Sequence, residues 1–267
     1  MSMDLKEGEL RSLLQSFPEH AYKAKAQNSS AALIEAIKKV QPNRRVQLLL
    51  ASYEDGSTIL HRLAKIQDFR TIINIFGLIE TADKNGLMLT KNNMGETALH
   101  SAVLSGSVAT VEALLNISAE QNILEKIIQA CTTDNDSVLH YATVGGHDSL
   151  INILLNGISK EARFDFIKRQ RSDGRTVLHC AAQYDNFFVI QRTLGDFSAD
   201  QTLELLNIQD CNGRTAQEVA ELTENQQAAM LLQRSRFPKP IDITVESGEG
   251  MSGAIHYKIG NLQHLNK

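Results

Sequence analysis

Apolar residues four positions apart recur along the chain at a fixed interval. Ile72 and Phe76, Val111 and Leu115, Ile151 and Leu155, and Ile190 and Leu194 form such pairs, and successive pairs lie 39 or 40 residues apart. Four residues is about one helical turn, so each pair marks the buried stripe of an amphipathic helix. Eleven residues before each pair stands a histidine, His61, His100, His140 or His179, and Glu218 follows 39 residues after the last.

The surroundings of these histidines repeat as well. Gly56-Ser57-Thr58-Ile59-Leu60-His61, Gly95-Glu96-Thr97-Ala98-Leu99-His100 and Gly174-Arg175-Thr176-Val177-Leu178-His179 match closely. The third copy has Asn135 for Gly and Ser137 for Thr, changes that keep a left-handed turn and a helix cap. The fifth, Gly213-Arg214-Thr215-Ala216-Gln217-Glu218, keeps Gly and Thr and loses Leu and His. Each copy therefore predicts a turn, a short capped helix and a second helix.

A third helix fills the long period. Ser118-Ala119-Glu120-Gln121 and Ser198-Ala199-Asp200-Gln201 have capping-box form, and Ser159 occupies the same place with no reciprocal partner. Apolar residues follow each, predicting short helices near 119–129, 160–168 and 199–206. Upstream, Ala31–Ile37 aligns with the second helix, Gln41–Leu49 with the third, and Tyr22 falls where a histidine would stand. A degenerate leading repeat is expected of a terminal unit with one face in water.

A turn, a capped T-x-L-H helix and a second helix with paired apolar residues resemble the ankyrin repeat family, over roughly residues 20–236. The usual period of that family is about 33 residues, so each copy here is about six longer, and the proline the family places between Thr and Leu is absent. The resemblance implies an all-α ankyrin-repeat solenoid of stacked helix-turn-helix units with an extra short helix per repeat, plus a short C-terminal tail. It divides the chain into a capping repeat at 1–50, repeats at 51–236 and a tail at 237–267. It makes Thr58, His61, Thr97, His100, Ser137, His140, Thr176, His179 and Thr215 structural, each histidine bonding its capping residue and nearby backbone. In such proteins the turn tips and the exposed side of each first helix line a concave face. By position, that surface takes in Tyr53, Arg62, Met94, Tyr141, Arg171, Arg175, Gln183, Tyr184 and Arg214, and Tyr and Arg are favoured at interface hot spots.

Composition narrows the remaining chemistry. Lys plus Arg is 27 against 31 Asp plus Glu, a net charge of −4, and 42% of residues are hydrophobic. That balance gives no drive toward nucleic acid, and no apolar run approaches the ~18 residues of a membrane span. The opening Met1–Glu7 lacks the apolar stretch of a signal peptide, and the 3 cysteines Cys131, Cys180 and Cys211 form no C-x-x-C pair. The expected compartment is the reducing cytoplasm, or the host-cell cytosol should the chain be an exported bacterial protein.

The four histidines stand one stack step apart and cannot converge on an ion, so neither metal nor cofactor is expected. Cys180 sits within a first helix, whereas Cys211 in its turn is the one candidate reactive thiol. Gly248-Glu249-Gly250-Met251-Ser252-Gly253 is a literal G-x-G-x-x-G, but the chain has no room after it for a Rossmann unit. Residues 255–265 faintly resemble the amyloid-forming motif of necroptosis adaptors, with Tyr257-Lys258-Ile259-Gly260 matching two of four core positions. From Arg163 to Arg175 five cations stand against two carboxylates, either a site for an acidic partner or a solvated basic loop. The expected function is a non-enzymatic scaffold or adaptor that binds another protein on its concave face. The chain should be monomeric unless the tail assembles; the rival reading makes it a self-assembling effector in which 255–265 drives oligomerisation.

Overall fold

A computed structural model describes residues 2–17 and 23–237. Seventeen helices follow one another within them, with no strand beyond two isolated bridges. The leading unit is α1 (Ser2–Ser16), α2 (Lys23–Lys39) and α3 (Pro42–Leu49). The first full repeat holds α4 (Ile59–Lys65), α5 (Phe69–Leu78) and α6 (Thr81–Leu89), and the second α7 (Ala98–Leu104), α8 (Val108–Glu120) and α9 (Leu124–Ile128). The third holds α10 (Val138–Val144), α11 (Asp148–Asn156) and α12 (Lys160–Lys168); the fourth holds α13 (Val177–Gln183), α14 (Phe187–Leu194) and α15 (Ala199–Leu206). The stack closes on α16 (Ala216–Leu222) and α17 (Gln226–Ser235).

Like packs on like. The first helices α4, α7, α10, α13 and α16 form one row, and the second helices α2, α5, α8, α11, α14 and α17 another. Leu99, Leu139 and Leu178 are fully buried, as are Ile72, Val111, Ile151 and Ile190 from the apolar pairs. Leu63, where other repeats have a small residue, is also fully buried.

The turns align in a ladder of their own. Asn93 N–H donates to Asp55 O at 3.0 Å, Thr133 N–H to Met94 O at 2.9 Å, Ser172 N–H to Asp134 O at 2.8 Å and Cys211 N–H to Asp173 O at 3.0 Å. Gly174 shows why glycine recurs here: its φ is +78°, and a Cβ would lie 2.6 Å from Cys211 N. Asn135 takes the same left-handed conformation at φ 61°, as its side chain allows.

Two of the expected caps take other roles. Ser118 lies inside α8, its hydroxyl donating to Leu114 O at 2.7 Å, so the extra helix of this repeat is only Leu124–Ile128. Repeats three and four have Gly157 and Gly195 just past their second helices, whereas the second repeat continues through Ile117. Helix α8 therefore runs on to a Schellman ending at Asn122 (φ 57°), with Ile123 N–H on Ser118 O and Asn122 N–H on Ala119 O, both at 3.0 Å. Ser159 makes no side-chain cap; its N–H donates to Glu125 Oε1 at 2.8 Å, tying α12 to α9. The Ser198–Gln201 box forms as read.

In the leading unit α1 supplies Leu10 and Leu14 to the core, and Phe17 just after it is buried as well. Tyr22, aligned with the histidines, lies outside the described residues, as do the tail from Pro238, the Gly248–Gly253 motif and the Tyr257–Gly260 tetrad.

Leu139 has neighbours in both adjoining repeats, so Leu139→Ala should cost about 2–5 kcal/mol and loosen the stack on both sides. Urea unfolding followed by circular dichroism checks this; an unchanged midpoint contradicts the burial.

Candidate protein-binding groove

All four histidines are used at Nδ1, and three of them also at Nε2. Thr58 N–H donates to His61 Nδ1 at 3.1 Å, and the same capping bond forms at 3.2 Å from Thr97 to His100, Ser137 to His140 and Thr176 to His179. An Nδ1 that accepts leaves the proton on Nε2, so that nitrogen donates. His61 Nε2 reaches Glu96 O at 2.9 Å, His100 reaches Asp136 O at 3.4 Å and His179 reaches Arg214 O at 3.0 Å. His140 Nε2 faces the Arg175 carbonyl but closes no hydrogen bond, so this junction relies on its other bonds, such as Ser172 N–H to Asp134 O and Arg171 to Asp136. Glu218 completes the series: its carboxylate accepts from Thr215 N–H at 2.7 Å. Burial holds the imidazoles neutral, lowering His100 to about 4 and His140 to about 3. Among the described residues no cluster of His, Cys, Asp and Glu is arranged to hold a metal ion.

Beside this row the turns and first helices of the first three repeats enclose a groove of about 600 Å³. Arg62, Met94, Tyr141 and Arg171 of the expected surface line it, together with His61 and His140. Met94 is 58% exposed at a turn tip. Tyr141 is half-buried, its hydroxyl donating to Glu96 Oε1 at 2.6 Å and its ring edge-on to His100 with centroids 5.4 Å apart. Burial and the Glu96 carboxylate push the Tyr141 phenol above its ordinary range, so it stays a donor.

The other expected contacts lie outside the groove or are already engaged. Tyr53 donates to Leu14 O, Arg62 stacks 3.2 Å from the Tyr53 ring centroid, and the Arg62 guanidinium donates to Phe17 O. Together these two side chains clamp the C-terminal end of α1, and burial raises the Tyr53 phenol to about 12. Arg175 donates to Gln183 Oε1 at 2.7 Å, and its Nε lies 3.8 Å from Asp210 Oδ2, as does that of Arg214. Tyr184 projects into solvent, 52% exposed.

The basic run from Arg163 to Arg175 is neutralised across repeats. Arg163 pairs with Asp196 at 2.9 Å, Lys168 with Glu204 at 2.8 Å and Arg171 with Asp136 at 2.8 Å. Arg169 donates to Gln129 O at 2.6 Å and Cys131 Sγ at 2.8 Å. The excess visible in the local sequence is therefore no free basic patch. Cys180 is buried, its thiol pushed up by desolvation, and Cys211 is exposed in its turn.

Sequence reasoning missed Glu96, Leu104 and Val144, all lining the groove. Leu104 and Val144 are 56% and 44% exposed, and each stands four residues after its histidine. Exposed apolar side chains at one repeat position were the available signal, overlooked in favour of Tyr and Arg.

Stacked turn–helix–helix units lined by such a concave surface define a repeat-solenoid interaction module. The family model for ankyrin repeats matches the chain three times, over residues 9–125, 78–164 and 115–202, and the chain belongs to the ankyrin repeat family. It is similar to the ANK repeat-containing protein nipk-1 of Caenorhabditis elegans, 33% identical over 48% of this chain and 20% of the relative. It is also similar to the nuclear factor NF-kappa-B p105 subunit of Rattus norvegicus, 25% identical over 52% of this chain and 13% of the relative. A third, the transient receptor potential cation channel subfamily A member 1 homolog of Caenorhabditis elegans, is 26% identical over 54% of this chain and 13% of the relative. The chain thus spans a fifth or less of these relatives' lengths.

The buried histidines give a pH dependence. Unfolded histidine takes a proton near pH 6.5, whereas His100 and His140 resist protonation down to about 4 and about 3. Their contribution is complete above pH 6.5 and is lost as pH falls through the folded values, because the unfolded chain binds more protons. The urea midpoint should therefore fall between about pH 7 and pH 5, before most carboxylates titrate. His140→Gln keeps a capping-box partner and should flatten that fall; equal slopes would refute the assignment.

Proposed function

We propose that the chain is a non-enzymatic scaffold or adaptor that binds another protein through the concave groove of its first three repeats. The observation that carries this is the exposed apolar set Met94, Leu104 and Val144 on the walls of one groove. Large apolar side chains gathered in water at a concavity mark an interaction surface more than scattered ones do. The rigid row of first helices behind them holds the groove preformed, which lowers the ordering cost of binding. The chain is also similar to a fifth or less of three relatives with very different printed names, as expected of a portable binding module. The rival self-assembly role rests on residues 255–265, outside the described residues, and no observation favours it.

Leu104→Asp with Val144→Asp should abolish capture of the partner from a lysate of the source cells while leaving the thermal melt unchanged. Ile73→Asp, at an exposed site on the second-helix row, should leave capture intact. Equal capture by both variants would exclude the groove.

A further inference from the structure

The groove carries charge as well as apolar surface, and its charges are not equally satisfied. Its cations have their donors engaged within the chain. Arg62 stacks on Tyr53 and donates to Phe17 O, Arg171 pairs with Asp136 at 2.8 Å, and Lys65 has a partner of its own. Glu96 is different. Its two carboxylate oxygens accept from neutral donors, Tyr141 hydroxyl at 2.6 Å and Asn92 Nδ2 at 2.7 Å. Among the described residues no cation pairs with it, and it shares the groove wall with Met94, Leu104 and Val144.

Two neutral hydrogen bonds fix the orientation of the Glu96 carboxylate without cancelling its charge. A carboxylate keeps lone pairs for further donors after accepting one bond at each oxygen. Half-buried beside apolar walls, it attracts a cation more strongly than it would in open water. Arg or Lys suits such a place because its aliphatic stem covers apolar surface while its head reaches the acid. An acidic side chain would meet Glu96 and the nearby carboxylates of Asp55 and Asp136, while the Arg62 and Arg171 guanidiniums are already held by Tyr53, Phe17 O and Asp136.

Resting on the groove reading above, we infer that the occupant is a segment of a separate protein presenting Arg or Lys beside an apolar residue. The cationic head pairs with Glu96, and the apolar neighbour covers Leu104 and Val144.

The test is peptide selection on the full chain, with three libraries of apolar-flanked peptides fixed at the centre as Arg or Lys, as Asp or Glu, or as Ser. The cationic library should be enriched over the other two. A selected peptide, measured by fluorescence anisotropy, should lose about tenfold or more in affinity on Glu96→Gln, a change that keeps an acceptor for Tyr141 and the fold's shape. Its affinity should also weaken with added salt, less steeply in the variant. Enrichment of acidic or neutral peptides, or equal binding to Glu96→Gln, overturns the inference. Leu104→Ser with Val144→Ser separates it from the groove reading. Loss of binding there with none at Glu96→Gln leaves the groove standing and removes the cation; loss at neither removes both. Displacement of the selected peptide by a synthetic peptide of residues 238–267 at equal concentration assigns the groove to the chain's own tail and overturns the separate partner.

Discussion

One imidazole, used at both nitrogens, sets the geometry of the stack. Its Nδ1 accepts from the capping residue of its own helix, which fixes the tautomer and so turns Nε2–H toward the next turn. Local capping and long-range register are thereby the same event: a helix that is correctly started is also correctly aimed at its neighbour. Burial makes the arrangement stringent, since a buried donor without an acceptor costs roughly 1–3 kcal/mol. The turn ladder from Asn93 to Cys211 runs beside it, so each repeat is held by two rows of backbone acceptors.

The long period adds a third helix to each unit, and with it a third line of contact between neighbours. Arg45 to Leu78 O, Glu125 to Ser159 N–H and Arg163 to Asp196 each join an extra helix to the next repeat at or just past the end of its second helix. These contacts span 33 or 34 residues, about six fewer than one repeat. Stability in such an array is a sum over neighbours. The unclosed His140 bond therefore weakens one junction rather than the whole.

The fold was legible because its determinants are local. Turn, cap, histidine and apolar pair fall within about twenty residues of one another, and recurrence at a fixed interval removes the ambiguity a single copy would carry. Ser118 failed as a cap for an equally local reason, the missing glycine after the second helix. The groove was half legible. Position placed Met94, Tyr141, Arg62 and Arg171 on the right face, but their state depends on groups 35 to 45 residues away. Phe17 O holds Arg62, Asp136 pairs with Arg171, and Glu96 is left facing the groove with neutral donors alone. A charge count along the sequence adds up residues that are neighbours in the chain, whereas neutralisation in a solenoid is settled between repeats.

Glu218 can be viewed as polymer chemistry views a chain end. Propagation along this stack is carried by a hydrogen directed from one repeat to a carbonyl of the next, and His61, His100 and His179 both start their own helices and extend the array. The glutamate keeps the first capability, capping Thr215, and lacks the second, for a carboxylate has lone pairs and no hydrogen to give. Any unit added beyond it would meet repulsion between two acceptors where its predecessors met a bond. A single side chain thus separates initiation from elongation, and the repeat carrying it acts as a terminator of this mode of growth.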